Sequence, residues 1–502
     1  MPQPQPKSPS VFPAPIYRDT VLTQIFADAK RYFLDPLIAI EYAHTLMLAR
    51  QQIMPDTEAA QCIRALDALD LNAIRSAGYE GSFEDLFFFV EQKIASICDP
   101  EVAGKMHTAR SRNDIDLTMY RIVLRGLLIE TLDFILQLRR RLIELAWEYR
   151  AALMPAYTHH QPAQPTTLGH YLMAFIEILE RDSERLRSAY GRVNRSPMGA
   201  CAITTTGFPI DRSFTAKLLG FDGLQVNSYG DIAAVDYLSE SCSVLAISMV
   251  NLGRFAQDLL LWSTAEFNYL RLSDAYVQIS SIMPQKRNPA PLEHVRILAS
   301  RSLAQAQGVL GCLHNTPFGD MNDGEDDLQP LAYTAFEDGG RSLRLLAGVL
   351  DEAQFNLQRM AVAAEENFLS VTELADTLVR STRMSFHSAH KIVSNAVKEL
   401  DGNYDTSAMA LIIERELSAH THRGGTLTRA DILKSLSAAN FVAVRRIPGG
   451  PASEVLDPEI VRARKQALAD WEWLAGTREH ITNARVLMRQ ECNALIQRAK
   501  EI

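Results

Sequence analysis

Three short segments concentrate the side chains able to hold an anion or move a proton. The first is His107-Thr108-Ala109-Arg110-Ser111-Arg112-Asn113-Asp114. The second is Tyr157-Thr158-His159-His160-Gln161-Pro162-Ala163-Gln164-Pro165-Thr166-Thr167. The third runs Ser280-Ser281-Ile282-Met283-Pro284-Gln285-Lys286-Arg287-Asn288-Pro289. Each directly precedes a stretch with helical apolar spacing, so each offers the unpaired N–H groups and positive dipole of a helix start. Such places bind anions, and Arg112, Lys286 and the Ser and Asn side chains add donors and charge.

Plainer roles compete for the same residues. Asn113 or Asp114, Thr167 and Asn288 have the chemistry of helix N-caps. Arg110 and Arg112 could form surface ion pairs. His159-His160 resembles a metal pair only superficially, because no HExxH or Cys/His cluster accompanies it. Nucleophilic Ser–His catalysis lacks its GxSxG elbow. No metal and no cofactor is expected.

The elements that must position these segments are long helices. Leu117, Val123, Leu124, Leu127, Leu128, Phe134, Ile135, Leu138, Leu142 and Leu145 draw a broad apolar stripe over residues 117–150. Further helices are expected over Leu168–Asn194, Asp231–Phe267, Pro289–Cys312 and Asp327–Val362. Alternating strand patterns are scarce, so the fold class is mainly α. The pattern divides into a Pro-rich arm (1–16), an N-terminal helical domain (17–110), a central bundle of five long helices (111–363) and a C-terminal helical domain (364–502). In the last, residues 401–456 are turn-rich (Asp401-Gly402-Asn403, Gly424-Gly425, Pro448-Gly449-Gly450-Pro451). Asp457-Pro458 reads as the N-cap and first residue of a final helical pair.

A helix over 114–150 is roughly 50 Å long at 1.5 Å per residue. The first segment lies at its start and the second beyond its end, so one subunit cannot bring both to one site. If both act together, an antiparallel oligomer must assemble the site.

Composition narrows the partners. With 502 residues, 47% of them hydrophobic, the chain can bury a large core. A net charge of −9 gives no basic face for nucleic acid. No run of about 18 apolar residues is present, so no membrane span is expected. The six scattered cysteines lack CxxC spacing and fit reduced thiols in the cytoplasm.

The third segment resembles the signature loop (GSSxMPxKxNP) of the aspartase/fumarase superfamily. His107–Asp114 resembles the HTGRSRND block of its argininosuccinate lyase branch, and Tyr157-Thr158-His159 with Gln161 and Ala163-Gln164-Pro165 resembles that branch's YTHLQxAQP. Similarity spans about residues 30–400, Leu272-Ser273-Asp274-Ala275-Tyr276 included. The resemblance implies a homotetramer with a core of twenty helices, each active site built from three subunits. It also implies reversible anti-elimination of an amine from an N-substituted aspartate, giving fumarate. In that scheme Ser281 is the general base. Lys286, Asn288 and backbone N–H groups of the 278–288 loop hold the charge of the aci-carboxylate intermediate. Ser111, Arg112, Asn113 and Thr158 grip the substrate carboxylates, with Ser280 and Met283 beside them. His159 either donates a proton to the departing amine or orients substrate and stabilises charge, the second being preferred.

The chain departs from an arginine-pathway enzyme at several points. Ile279 and Ala109 stand where the pattern has glycine. The family's TYNKDLQEDK reads Thr316-Pro317-Phe318-Gly319-Asp320-Met321-Asn322-Asp323-Gly324-Glu325, so Pro317, Asn322 and Glu325 replace a substrate-contacting Tyr, Gln and Lys. Its DIHTANE reads Asp85-Leu86-Phe87-Phe88-Phe89-Val90-Glu91, with Phe87 for His, a run whose plain reading is core packing. The fumarate-half residues stay while the amine-half residues change. The resemblance therefore points first to ethylenediamine-N,N′-disuccinate (EDDS) lyase, which leaves N-(2-aminoethyl)aspartate, with argininosuccinate lyase as the alternative. A catalytically silent relative, as among the lens crystallins, is the alternative of another class, and a helical interaction scaffold is a third option.

Overall fold

Residues 12–419 and 427–501 are described by the computed structural model. The Pro-rich arm falls mostly outside them, as does Gly424-Gly425. The N-terminal part is built of shorter helices, among them α1 (Leu34–Arg50) and α2 (Leu86–Ala95). Five long helices follow: α3 (Arg112–Glu148), α4 (Leu168–Val193), α5 (Asp236–Trp262), α6 (Ala290–Leu313) and α7 (Gln329–Glu352). They pack pairwise, α3 on α4 and α7, α5 on α4, α6 and α7, into the expected central bundle. The apolar stripe of α3 is the reason: Leu117, Leu124, Leu128, Ile135, Leu138, Leu142 and Leu145 are all buried in it.

Where α4 begins, its backbone lies against the end of α3. A Cβ on Gly169 would stand 2.6 Å from Arg150 Cα and 2.7 Å from Ala146 O, so only glycine permits the approach.

Two expected helices differ at three boundaries. Residues 228–233 form a separate short helix before α5, with Ala234 extended between them and Asp231 tied to Arg212 at 2.6 Å. At its other end α5 stops at Trp262 rather than Phe267. The hydroxyls of Ser263 and Thr264 donate to the Leu260 and Leu261 carbonyls and compete with helical bonding there. Helix α7 stops at Glu352, because Gln354–Phe355 pairs with Leu270–Arg271 and Asn356 caps a new helix, Leu357–Glu365.

The final helical pair is a single helix, α8 (Ser453–Glu501), with Pro458 inside it. Pro458 lies in the second turn, where one missing N–H removes one bond from 49 residues. Leu456, Ile460, Ala463 and Leu474 bury that helix against α3 and α4. A second, smaller core gathers Leu374, Leu378, Ile392, Ile413, Ile432 and Leu436.

By length and composition α5 is apolar enough to cross a membrane, although no long unbroken apolar run marks it in the sequence. Its Leu238, Leu245, Leu252 and Leu259 are buried among its neighbours in the bundle, as in a core helix.

Candidate active site

Ser111, not Asn113 or Asp114, occupies the N-cap of α3. Asp114 reaches back to the Ser111 N–H at 2.9 Å and accepts from the backbone of Gly199 at 2.8 Å and Cys201 at 2.9 Å. Asp114 is thus a buried strut. Asn113 donates to Asp320 at 2.7 Å and to the Ala202 carbonyl at 3.0 Å, while its own oxygen accepts from Ser111 Oγ at 3.1 Å.

Arg112 is the first residue of α3, and its Nη2 lies 2.8 Å from Asp85, its Nη1 3.4 Å from Glu84. Asp85 in turn caps α2 by accepting from the Phe88 N–H at 3.1 Å. Arg110 makes no surface pair: it is buried with Glu41 at 2.9 Å, because α1 covers it. Phe87 packs in the core as its plain reading has it, with the His107 ring and the Arg110 guanidinium each 5.5 Å away.

The second segment is a β-hairpin rather than a loop at a helix start. Strand β1 (Leu153–Thr158) pairs with β2 (Gln161–Thr167), and only Thr167 reaches α4, as its N-cap, accepting from the His170 N–H at 3.1 Å. Thr158 pairs with Gln161, leaving His159 and His160 as a two-residue turn at φ +53° and +60°. Both lie in the left-handed region, costly without glycine and tolerated by histidine better than by most residues. Thr158 and His159 are exposed at the tip, away from the helix dipole.

The third segment is a second hairpin. Strand β3 (Gln278–Ile279) pairs with β4 (Arg287–Asn288), so Asn288 is a strand residue, and Pro289 precedes α6 with no side-chain cap. Ser280 Oγ accepts from the Met283 N–H at 3.0 Å, and the Lys286 N–H donates to the Met283 carbonyl at 3.0 Å, which rounds the tip. Arg287 anchors the base through Asp274 at 2.5 Å and the Leu272 carbonyl at 2.8 Å. Ser281, Met283 and Lys286 stand exposed, beside Ile279 and Ile282 at 80% and 81% exposure. Two apolar side chains so open on a narrow hairpin call for a covering surface.

One chain therefore forms three separate groups. Ser111, Arg112 and Asn113 meet residues 320–326 at the start of α3, where Tyr120 also donates to Asp326 at 2.9 Å. The hairpin carrying Thr158 and His159 lies past the other end of α3, about 55 Å away at 1.5 Å per residue over 37 residues. Tyr269, nine residues before the signature hairpin, meets Tyr157 there, their hydroxyls 2.8 Å apart. Helix α6, about 36 Å over its 24 residues, separates Ser281 and Lys286 from the Asp320 segment.

Sequence reasoning missed the carboxylates gathered at Arg112. Asp116 lies one turn beyond Arg112, and that four-residue spacing was the signal. Burial, then the charge of Asp326, pushes the Asp116 carboxyl well above its ordinary range. Burial, with Asp320 repelling and sharing a hydrogen bond, pushes Glu325 up to about 8. Burial likewise raises Asp326.

A family profile described as lyase matches residues 45–303, and one described as argininosuccinate lyase C-terminal matches residues 368–443. Argininosuccinate lyase 2 of Agrobacterium fabrum is 42% identical over 456 residues, covering 90% of each chain. Argininosuccinate lyase 1 of Shouchella clausii is 34% identical over 462 residues, covering 92% of this chain and 93% of its own. Among solved structures, EDDS lyase in complex with formate superposes with a TM-score of 0.85 at 31% identity, covering 97% of both chains. The class II fumarase of Schistosoma mansoni, at 15% identity and a TM-score of 0.67 over 83% of this chain and 91% of its own, shares the fold.

Proposed function

The chain belongs to the argininosuccinate lyase branch of the aspartase/fumarase superfamily, whose members here are fumarate-releasing carbon–nitrogen lyases, and on that premise we propose that it splits argininosuccinate into arginine and fumarate. The sequence pattern alone ranked EDDS first. Relatives at 42% and 34% identity, both argininosuccinate lyases and matched over some nine-tenths of the chain, support argininosuccinate more than EDDS.

The observation that carries the reading is the start of α3. There the Arg112 guanidinium, held by Asp85 and Glu84, lies beside helix N–H groups, a setting for a carboxylate. In the proposed reaction Ser281 takes a proton from the carbon beside one carboxylate, and the aci-carboxylate charge rests on Lys286, Asn288 and backbone donors. The carbon–nitrogen bond then breaks with its electron pair on nitrogen, a proton reaches the leaving nitrogen, and fumarate remains. Arg112, Asn113, Ser111 and Thr158 hold the carboxylates, Ser280 and Met283 shape the loop beside them, and His159 orients the substrate.

The site is complete only if neighbouring chains supply the missing groups, so a homotetramer is part of the proposal. Exposed Ile247 and Val250 on α5 and Ile297 and Leu310 on α6 support it as an apolar surface along the bundle. A cytoplasmic setting accords with six cysteines that stand as free thiols.

The EDDS reading keeps a specific observation in its favour, the acidic Asp320–Asp327 segment where the family pattern places a lysine. Parallel assays with argininosuccinate and EDDS, following fumarate's ultraviolet absorbance, decide the matter. Turnover of argininosuccinate is expected; turnover of EDDS alone would restore the first ranking, and silence with both would favour a non-catalytic relative.

A further inference from the structure

Around Arg112 carboxylates gather from three parts of the chain, and only part of their charge is met. Arg112 directs its two terminal nitrogens to Asp85 and Glu84. Asp326 accepts one hydrogen bond, from Tyr120, and Asp320 accepts the Asn113 amide. Glu325 shares a hydrogen bond with Asp320, one acid against another. Asp116 is only 9% exposed, yet no hydrogen bond or ion pair reaches it among the described residues. Its electrostatic neighbours are Asp326, Arg112, Asp85 and Glu325, so it faces into the group.

We propose that this carboxylate cluster receives a positive group carried by the leaving amine, so that the enzyme selects amines bearing an ammonium or guanidinium beyond the nitrogen that is released. The inference rests on the proposed elimination and adds the charge of the amine half to it. A buried acid without a donor must be met by a proton or by a cation. Asp116 and Glu325, held toward their protonated forms, show that one chain by itself supplies too little positive charge. A metal ion is a poorer fit than an organic cation, because no three acidic or imidazole groups among the described residues converge closely enough to hold one. The position suits the amine half: Asn113, which the reaction places on a substrate carboxylate, is itself hydrogen-bonded into the cluster.

The test runs the reaction backward from fumarate with two pairs of amines differing by one positive charge: agmatine against butylguanidine, and ethylenediamine against ethylamine. The member with the extra cation should show a kcat/KM higher by about tenfold or more. Asp116→Asn and Glu325→Gln, checked for native circular dichroism, should each lower that ratio. Glu325 is partly exposed, so its variant keeps the test open should the buried Asp116→Asn misfold. A ratio near one in the native enzyme, or a ratio unchanged in a folded variant, overturns the inference while the elimination stands. If no amine adds to fumarate, arginine included, the proposed function and the inference fall together.

Discussion

Asp85 holds the Arg112 guanidinium at 2.8 Å at a point where two helices begin, α2 capped by Asp85 itself and α3 opened by Arg112. One carboxylate thus fixes both a helix start and the direction of the cation expected to meet the substrate. Asp85→Asn separates the two tasks, since asparagine caps a helix as well as aspartate does. Loss of a charge-assisted bond worth about 1.5–3 kcal/mol should raise KM for fumarate by roughly tenfold or more, with a smaller change in kcat. Steady-state kinetics check this, and an unchanged KM would mean that Arg112 needs no such support. Lysine at position 112 should not rescue binding, because it lacks the planar fork that engages Asp85 and a second carboxylate together.

Ser281 and Lys286 stand on the exposed tip of the signature hairpin, where their side chains bear no packing load. Ser281→Ala should therefore lower kcat by about a thousandfold or more while the melting temperature and oligomer stay as they were. Lys286→Ala should cost about a hundredfold or more. Rates within a few-fold of the parent enzyme, measured by fumarate release, would remove either group from the chemistry.

Carboxylates raised by burial make the fold pH-sensitive in a defined direction. Glu325 titrates near 8 in the folded chain against an ordinary 4.5, so the folded state binds the extra proton. Its contribution is fully present below about pH 4.5 and is lost as pH rises through 8. The melting temperature of the ligand-free enzyme should fall between pH 5 and 8 for this reason. Glu325→Gln should raise it by about 2 °C or more at pH 8 and change it little at pH 5. Equal effects at both pH values would show that Glu325 is ionised throughout.

The long helices were legible because apolar residues recur on one face for ten turns in α3, a pattern that tertiary context only reinforces. Their ends were less so: the serine and threonine hydroxyls at 263 and 264 stop α5 without glycine or proline. Both hairpins were hidden. Prolines at 155, 162 and 165 obscure β1 and β2, and a His-His turn carries no Asn-Gly signature. The groups proposed to grip the substrate were legible as types and spacing. Their carboxylate neighbours were not, because residues 84–85, 116 and 320–326 meet only in the folded chain.

The buried pair Arg110–Glu41 supports the first segment from below, and burial raises the Glu41 carboxyl while Arg110 pulls it back down. Arg110→Ala leaves that acid uncompensated and should cost about 3–5 kcal/mol of stability. The double change Glu41→Leu with Arg110→Met should recover most of the loss, since it removes the unmet charge as well. Chemical denaturation of the two variants measures the difference, and a double variant no better than the single would assign the cost to packing.

The separation of Arg112 from Ser281 within one chain has a consequence for mixed subunits. Arg112→Ala and Ser281→Ala should each be nearly inactive alone. If a site draws Arg112 from one chain and Ser281 from another, co-assembly of the two variants leaves some sites with both groups intact. Random mixing at equal amounts makes each group native with probability one half, so about one quarter of parent activity should return. A site formed within one chain would return none, because every chain carries one lesion. The variants must be co-expressed or refolded together, with activity measured per mole of assembled protein. A mixture no more active than its parts would place Arg112 and Ser281 on the same subunit's site, against the roughly 55 Å of α3 and 36 Å of α6 that hold them apart.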